Sequence, residues 1–202
     1  MKRLLLLLFA VLLLSAAPPT KNRIDYTAEI QKKSSTISTL SASFVQKKYL
    51  SALEDVVVAK GLFLLKKPDK IRWQYSVPFT YTITINGSVV TMKDGKKTER
   101  YDMKKSRTFK HLNTIISGAF DGSILKKTDL FSSRFSEDGE LIKLELTPLD
   151  KKFSLKMITI YFDKKEWLTR RVILTEHNKD YTDISFVGIK KNVKVKDEVF
   201  AH

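Results

Sequence analysis

Between Gly61 and Gly87 the chain reads GLFLLKKPDKIRWQYSVPFTYTITING, and this stretch constrains the fold more than any other. Proline has no amide N–H to give to a sheet, so Pro68 and Pro78 belong in connections or at strand starts and divide the stretch into three runs. In the second run Ile71, Trp73 and Tyr75 alternate with Arg72 and Gln74. In the third, Tyr81, Ile83 and Ile85 alternate with Thr82, Thr84 and Asn86. A side-chain period of two is that of a strand. Three neighbouring strands with one alternation predict an antiparallel sheet with an apolar, aromatic face and a polar face. What covers the aromatic face is the functional question.

The rest of the chain extends the same pattern. Arg23 to Leu40 is predicted to be a first helix on the spacing of Ile24, Ala28, Ile37 and Leu40, weakened by the Ser34–Thr39 cluster. Ser41–Leu50 and Asp55–Lys67 read as strands, with Gly61 a candidate bulge. Asn86-Gly87, Asp94-Gly95 and Asp138-Gly139 each suit a tight hairpin turn and predict a meander. A short helix, Lys110 to Phe120, interrupts the strands with Leu112, Ile115, Ile116 and Phe120 at helical spacing. Strands resume to Asn192, and along SLKMITIYFD the alternation changes phase between Met157 and Ile158. About ten or eleven strands in one sheet exceed what a strongly twisted open sheet carries without curling, so a half-barrel or barrel is expected.

The first twenty residues stand apart: Lys2-Arg3, an unbroken apolar run from Leu4 to Leu14, then Ser15-Ala16-Ala17. That is the order of a secretory leader, and the run is short for a membrane span, for which about 20 residues are usual. Pro18 disfavours cleavage after Ala17, so either the cut falls elsewhere or the segment stays as an anchor. The expected organisation is a leader over 1–20 and one domain over 21–202. The sequence has no cysteine. An exported chain without one holds itself by packing alone and has no site for the lipid of a lipoprotein, which suggests a soluble protein of the periplasm or cell surface. The net charge of +15 favours anionic surfaces or partners, although Lys-Lys pairs scattered from Lys32-Lys33 to Lys190-Lys191 also suit a solvated exterior.

Catalytic chemistry finds no foothold. His111, His177 and His202 are isolated, without a second ligand at metal spacing, and no metal site or cofactor is expected. No nucleophile elbow, phosphate loop or dinucleotide fingerprint is present, and the carboxylate pairs sit at turns. Nucleic-acid binding is disfavoured, because strand alternation puts Trp73 and Tyr75 on the side opposite Arg72. The aromatic face remains. A short helix over a curled sheet suits a lid on an apolar cavity that opens for a lipid. Equally, Phe63, Trp73, Tyr75, Ile83 and Ile85 could be plain core beneath the helices.

Leu40-Ser-Ala-Ser-Phe44-x-Gln46, then Gly61-x-Phe63 and Lys67-Pro68-x-Lys70-Ile71-Arg72-Trp73-x-Tyr75, then Asn86-Gly87 and the ending ISFVGIKKNVKVKDEVF together resemble the periplasmic outer-membrane lipoprotein carrier family, LolA. The likeness spans nearly the whole chain after the leader. It implies an unclosed antiparallel β-barrel with a helical lid, a cavity for lipoprotein acyl chains, and no enzymatic activity. The implied partners are lipoproteins, an inner-membrane lipoprotein-releasing ABC transporter and an outer-membrane acceptor, with transient contact at the membrane surface, for a monomeric periplasmic shuttle. The same fold could instead carry a free lipid, glycolipid or polyene precursor, or act as a sensor without transport.

On this resemblance the cavity is expected to be lined by Phe44, Phe63, Leu65, Trp73, Tyr75, Ile83, Ile85, Met92, Leu144, Ile158 and Ile160, with Trp73 matching the family's cavity tryptophan. Leu112, Ile115, Ile116 and Phe120 would form the lid. The family commonly has an arginine before the motif proline, where it holds the lid shut. Here Lys67 stands there, and lysine lacks arginine's planar fork of donors.

Overall fold

Eleven strands form one antiparallel sheet whose order explains why it stays open. A computed structural model describes residues 24–201, so the leader expected over 1–20 lies outside the described residues. In chain order the strands are β1 (Thr39–Leu50), β2 (Asp55–Lys66), β3 (Lys70–Val77), β4 (Tyr81–Asn86), β5 (Val89–Asp94), β6 (Lys97–Asp102), β7 (Phe131–Asp138), β8 (Leu141–Pro148), β9 (Leu155–Asp163), β10 (Thr169–Glu176) and β11 (Tyr181–Lys191). Their order across the sheet is β6-β5-β4-β3-β2-β1-β11-β10-β9-β8-β7. Two meanders, β1–β6 and β7–β11, are thus stitched by the pairing of β1 with β11. The free edges, β6 and β7, are consecutive in the chain. The segment that joins them carries helix α2 (Arg107–Asp121), which packs over the inner face of the sheet on Phe63 of β2 and Phe186 of β11.

The register follows the alternation read in the sequence. Ala42, Phe63, Trp73 and Ile83 are successive partners across β1, β2, β3 and β4, and Leu40, Leu65, Ile71 and Ile85 form the neighbouring row. Gly61 is where β2 shifts register against β3. A Cβ there would lie 1.9 Å from the Gln74 carbonyl oxygen, so only glycine lets the two backbones approach. The phase change in β9 coincides with an irregularity in its pairing with β10, between Met157 and Leu155.

Helix α1 (Tyr26–Ser35) is shorter than the expected Arg23–Leu40. The hydroxyls of Ser34, Ser35 and Thr36 each donate back to a carbonyl three residues earlier, and Thr39 already begins β1. Such side-chain bonds compete with helix continuation, so Ile37 and Leu40 enter the core from a turn and a strand. Helix α2 is longer than expected: Ser106 caps its start through Phe109 N, and Gly122, at φ 75°, ends it.

The outer face of the sheet is covered by the chain's end. A 3-10 turn, Asp197–Phe200, lies against β3 and β4, where Arg72 donates to the Val199 carbonyl at 3.1 Å and Phe200 is fully buried. Lys66 and Lys70 both donate to Asp197, at 2.8 and 2.9 Å.

Candidate functional site

The inner face divides along the length of α2. Its C-terminal half is built into the core. Phe120 stacks on Phe63 with ring centroids 4.9 Å apart and meets Phe186 edge-on at the same distance. Ile115 and Ala119 are buried, Thr169 donates to the Ala119 carbonyl, and Gly118 packs so closely on Ile124 that a Cβ would meet it at 2.8 Å. Phe44 and Trp73 complete the aromatic cluster, each 5.0 Å from a ring beside it.

The N-terminal half stands off the sheet. Phe109, Leu112 and Ile116 roof a cavity of about 280 Å³ whose floor is Trp73 and Tyr75 of β3 with Ile83 and Ile85 of β4. Leu174 and Ile184 form part of the wall across the curl, and Gln46, Asn113 and Thr182 are its polar members. No charged side chain lines it. Tyr75 and Ile83 also border a second, outer pocket of about 380 Å³, which runs on to Val57, Val77 and Phe79 and has Asp94 on its rim. The two pockets adjoin at Tyr75 and Ile83, which line both. In the outer pocket Val57, Val77 and Phe79 are exposed, Phe79 at 75%.

Of the residues expected in the cavity, Trp73, Tyr75, Ile83 and Ile85 line it, and Leu112 and Ile116 roof it. Phe44, Phe63, Leu65, Leu144, Ile158, Ile160, Ile115 and Phe120 lie in the packed core beside it, away from its wall. Met92 is half-buried and pairs with Ile83 across β4 and β5. Lys67 sits at the other end of α2. Its Nζ donates to the Ser34 carbonyl at the end of α1, at 2.6 Å, and the Ser34 hydroxyl donates to the Asp121 carbonyl at the end of α2, at 3.0 Å. Lys67 therefore ties the two helix C-termini at the fixed end, where the partial negative charge of both suits a cation. Burial holds its ammonium below the usual lysine range, and the Asp121 carboxylate partly offsets this.

Sequence reasoning missed the lining residues Gln46, Ile71, Val90, Phe109, Asn113, Leu174, Thr182 and Ile184, and the outer pocket. Gln46 had a signal: it is in phase with Leu40, Ala42 and Phe44, so the alternation of β1 turns a polar side chain inward. Thr182 stands likewise in phase with Ile184 and Phe186. The Tyr75 hydroxyl donates to Gln46 Oε1 at 3.0 Å, and burial, foremost, pushes its pKa up to about 12, with Tyr81 adding to the rise. Among the described residues no three histidine, cysteine or acidic side chains gather to hold a metal ion.

The family profile described as "Outer membrane lipoprotein carrier protein LolA" matches residues 35–202. The chain belongs to the LolA family. An outer-membrane lipoprotein carrier protein of Nitrosomonas europaea is 23% identical over 199 residues, covering 96% of this chain and 92% of that one. Among solved structures, an uncharacterized conserved protein from Thermus thermophilus superposes with a TM-score of 0.53 at 10% identity, over 87% of this chain and 92% of the other. A MucA/MucB complex of Pseudomonas aeruginosa gives 0.52 at 8% identity, over 88% of this chain and 60% of the other. At such identities these two attest the LolA-like fold alone. Family membership points to a carrier that binds lipid or sorts lipoproteins. LolA-family carriers are periplasmic, and among the described residues no helix is long and apolar enough to cross a membrane.

Proposed function

We propose that this protein is a periplasmic shuttle that takes the acyl chains of lipoproteins into the cavity beneath α2 and carries them from an inner-membrane releasing transporter to an outer-membrane acceptor. The observation that carries the reading is the division of α2: half of the helix is anchored in the core, and half roofs an uncharged apolar cavity without filling it. At about 280 Å³ the roofed space is near the lower limit of ligand sites, which run from about 300 to 1,000 Å³, so a long acyl chain needs the outer pocket or a raised roof as well. Each buried CH₂ contributes about 0.8 kcal/mol, so handover requires an acceptor of comparable apolar capacity. The exposed Val57, Val77 and Phe79 of the outer pocket, on a basic chain, suit brief contact with an anionic membrane surface as cargo enters.

The test is to incubate the purified mature protein with spheroplasts and probe the soluble fraction. Lipoproteins released in stoichiometric complexes with it are the expected result. Release of free lipid only, with the transporter present and the protein folded, would replace lipoprotein cargo by a free lipid.

A further inference from the structure

The two amides on the cavity wall share a bias. Gln46 Oε1 already accepts from the Tyr75 hydroxyl at 3.0 Å, and Asn113 Oδ1 accepts from the Ser117 hydroxyl at 3.0 Å. What each amide has left unbonded is its NH₂. No lysine or arginine lines the cavity, and the charged residue that lines the adjoining outer pocket is Asp94.

We propose that this wall is a subsite for the carbonyl oxygens of ester-linked acyl chains, read by the Gln46 and Asn113 amides. The inference rests on the carrier reading and narrows its cargo. An ester carbonyl is a neutral acceptor with no hydrogen to donate, which is the complement of a donor-biased wall without charge. A fatty-acid carboxylate or a phosphate would be buried with no cation to pair it and with Asp94 in the adjoining pocket, and burying an unpaired charge is costly. An isoprenoid chain, or an alkyl chain in ether linkage, fits the apolar surface equally well but leaves the donors unanswered. The subsite therefore selects O-acylated glycerol-type lipid, the headgroup remaining outside, and disfavours a polyene precursor.

The experiment is displacement of a bound apolar fluorescent probe by two lipids of equal chain length: 1,2-dimyristoylglycerol, which is ester-linked, and 1,2-di-O-tetradecylglycerol, its ether counterpart. One or two hydrogen bonds retained by the ester alone predict a preference on the order of tenfold. In Gln46→Leu and in Asn113→Leu the ratio of ester to ether displacement falls towards one, and a circular-dichroism spectrum and melt like those of the unmodified protein report that the fold has formed. Equal displacement by both lipids on the unmodified protein overturns the subsite and leaves the carrier reading standing. Displacement by neither lipid overturns both. A third arm, a diacylglyceryl-cysteine lipopeptide, separates the two sources of such an ester: tighter binding than dimyristoylglycerol assigns it to lipoprotein, and equal binding to a free glycerolipid.

Discussion

If half of α2 is anchored and half is roof, truncating one side chain in each half should have opposite consequences. Ile115 is fully buried in the anchored half, whereas Leu112 is 38% exposed and faces the cavity. Removing a buried isoleucine down to alanine costs about 2–5 kcal/mol, because the cavity left behind relaxes only partly. For a domain of this size about 2–4 °C of Tm goes with each kcal/mol, so Ile115→Ala should lower Tm by roughly 5–15 °C. Leu112 already borders empty space and is more than a third in solvent. Its truncation forfeits only part of the roughly 1.5–3 kcal/mol of a fully buried leucine, about 1 kcal/mol, and should move Tm by no more than about 4 °C. Its effect should appear in kinetics instead: stopped-flow uptake of an apolar fluorescent probe should accelerate several-fold, because a smaller roof side chain widens the way into the cavity. Thermal denaturation followed by circular dichroism supplies the other measurement. Should Leu112→Ala destabilise as much as Ile115→Ala, or should uptake quicken only when Ile115 is cut, the division of the helix is wrong and the lid moves as one body.

Other perturbations bear on the same architecture. Trp73→Glu puts a carboxylate on the cavity floor and should abolish acyl-chain uptake with the sheet intact by circular dichroism; normal uptake by this variant would exclude the floor assignment. Gly61→Ala drives a methyl group into the Gln74 carbonyl and Phe44 and should cost more than about 3 kcal/mol, read as the midpoint of urea denaturation. The pair of lysines on Asp197 holds its pKa down to about 2, below the ordinary carboxylate value. A depressed folded-state pKa gives stabilisation that is complete above the unfolded value near 4 and is lost as pH falls towards about 2, so carboxypeptidase should trim the C-terminal turn faster at pH 3 than at pH 6, and Asp197→Asn should abolish that difference.

The sheet was legible because strand alternation is a strict rule: Ile71, Trp73 and Tyr75 against Arg72 and Gln74 settled the faces, and the Asn-Gly and Asp-Gly turns settled the neighbours. Alternation says which face a residue is on but not what lies above it. Phe63 and Trp73 are register partners on the same face, yet Phe63 is sealed by Phe120 while Trp73 reaches the open floor, because α2 descends onto β2 and β11 and lifts away over β3 and β4. That tilt depends on contacts far apart in sequence, Ser34 with Asp121 and Thr169 with Ala119, which no local pattern records. The end of α1 was misread for a local reason, since the hydroxyls of Ser34 to Thr36 compete with helix while Ile37 and Leu40 mimic its stripe. Phe200, a lone aromatic in a charged tail, gave no hint that it would be fully buried on the outer face.

The open edges are what make the interior available. Were β6 and β7 paired, the sheet would close and its inward side chains would fill the centre, as small barrels do. Instead the segment between the two edges folds as α2 and packs over the inner face, so the interior is filled from one end by Phe120 and Ile115 and left unfilled at the other. Two unpaired edges invite pairing with other chains. Here they are short and polar: Lys97, Thr98 and Arg100 are exposed on β6, and Ser132, Ser133 and Arg134 on β7, which blunts that tendency. An anchored half-helix also limits how far opening can go. On the proposed carrier reading, the roof residues Phe109, Leu112 and Ile116 would lift about the anchored turns without exposing the Phe63–Phe120–Phe186 cluster, and cargo would exchange with the cavity while the core that holds the fold stays dry.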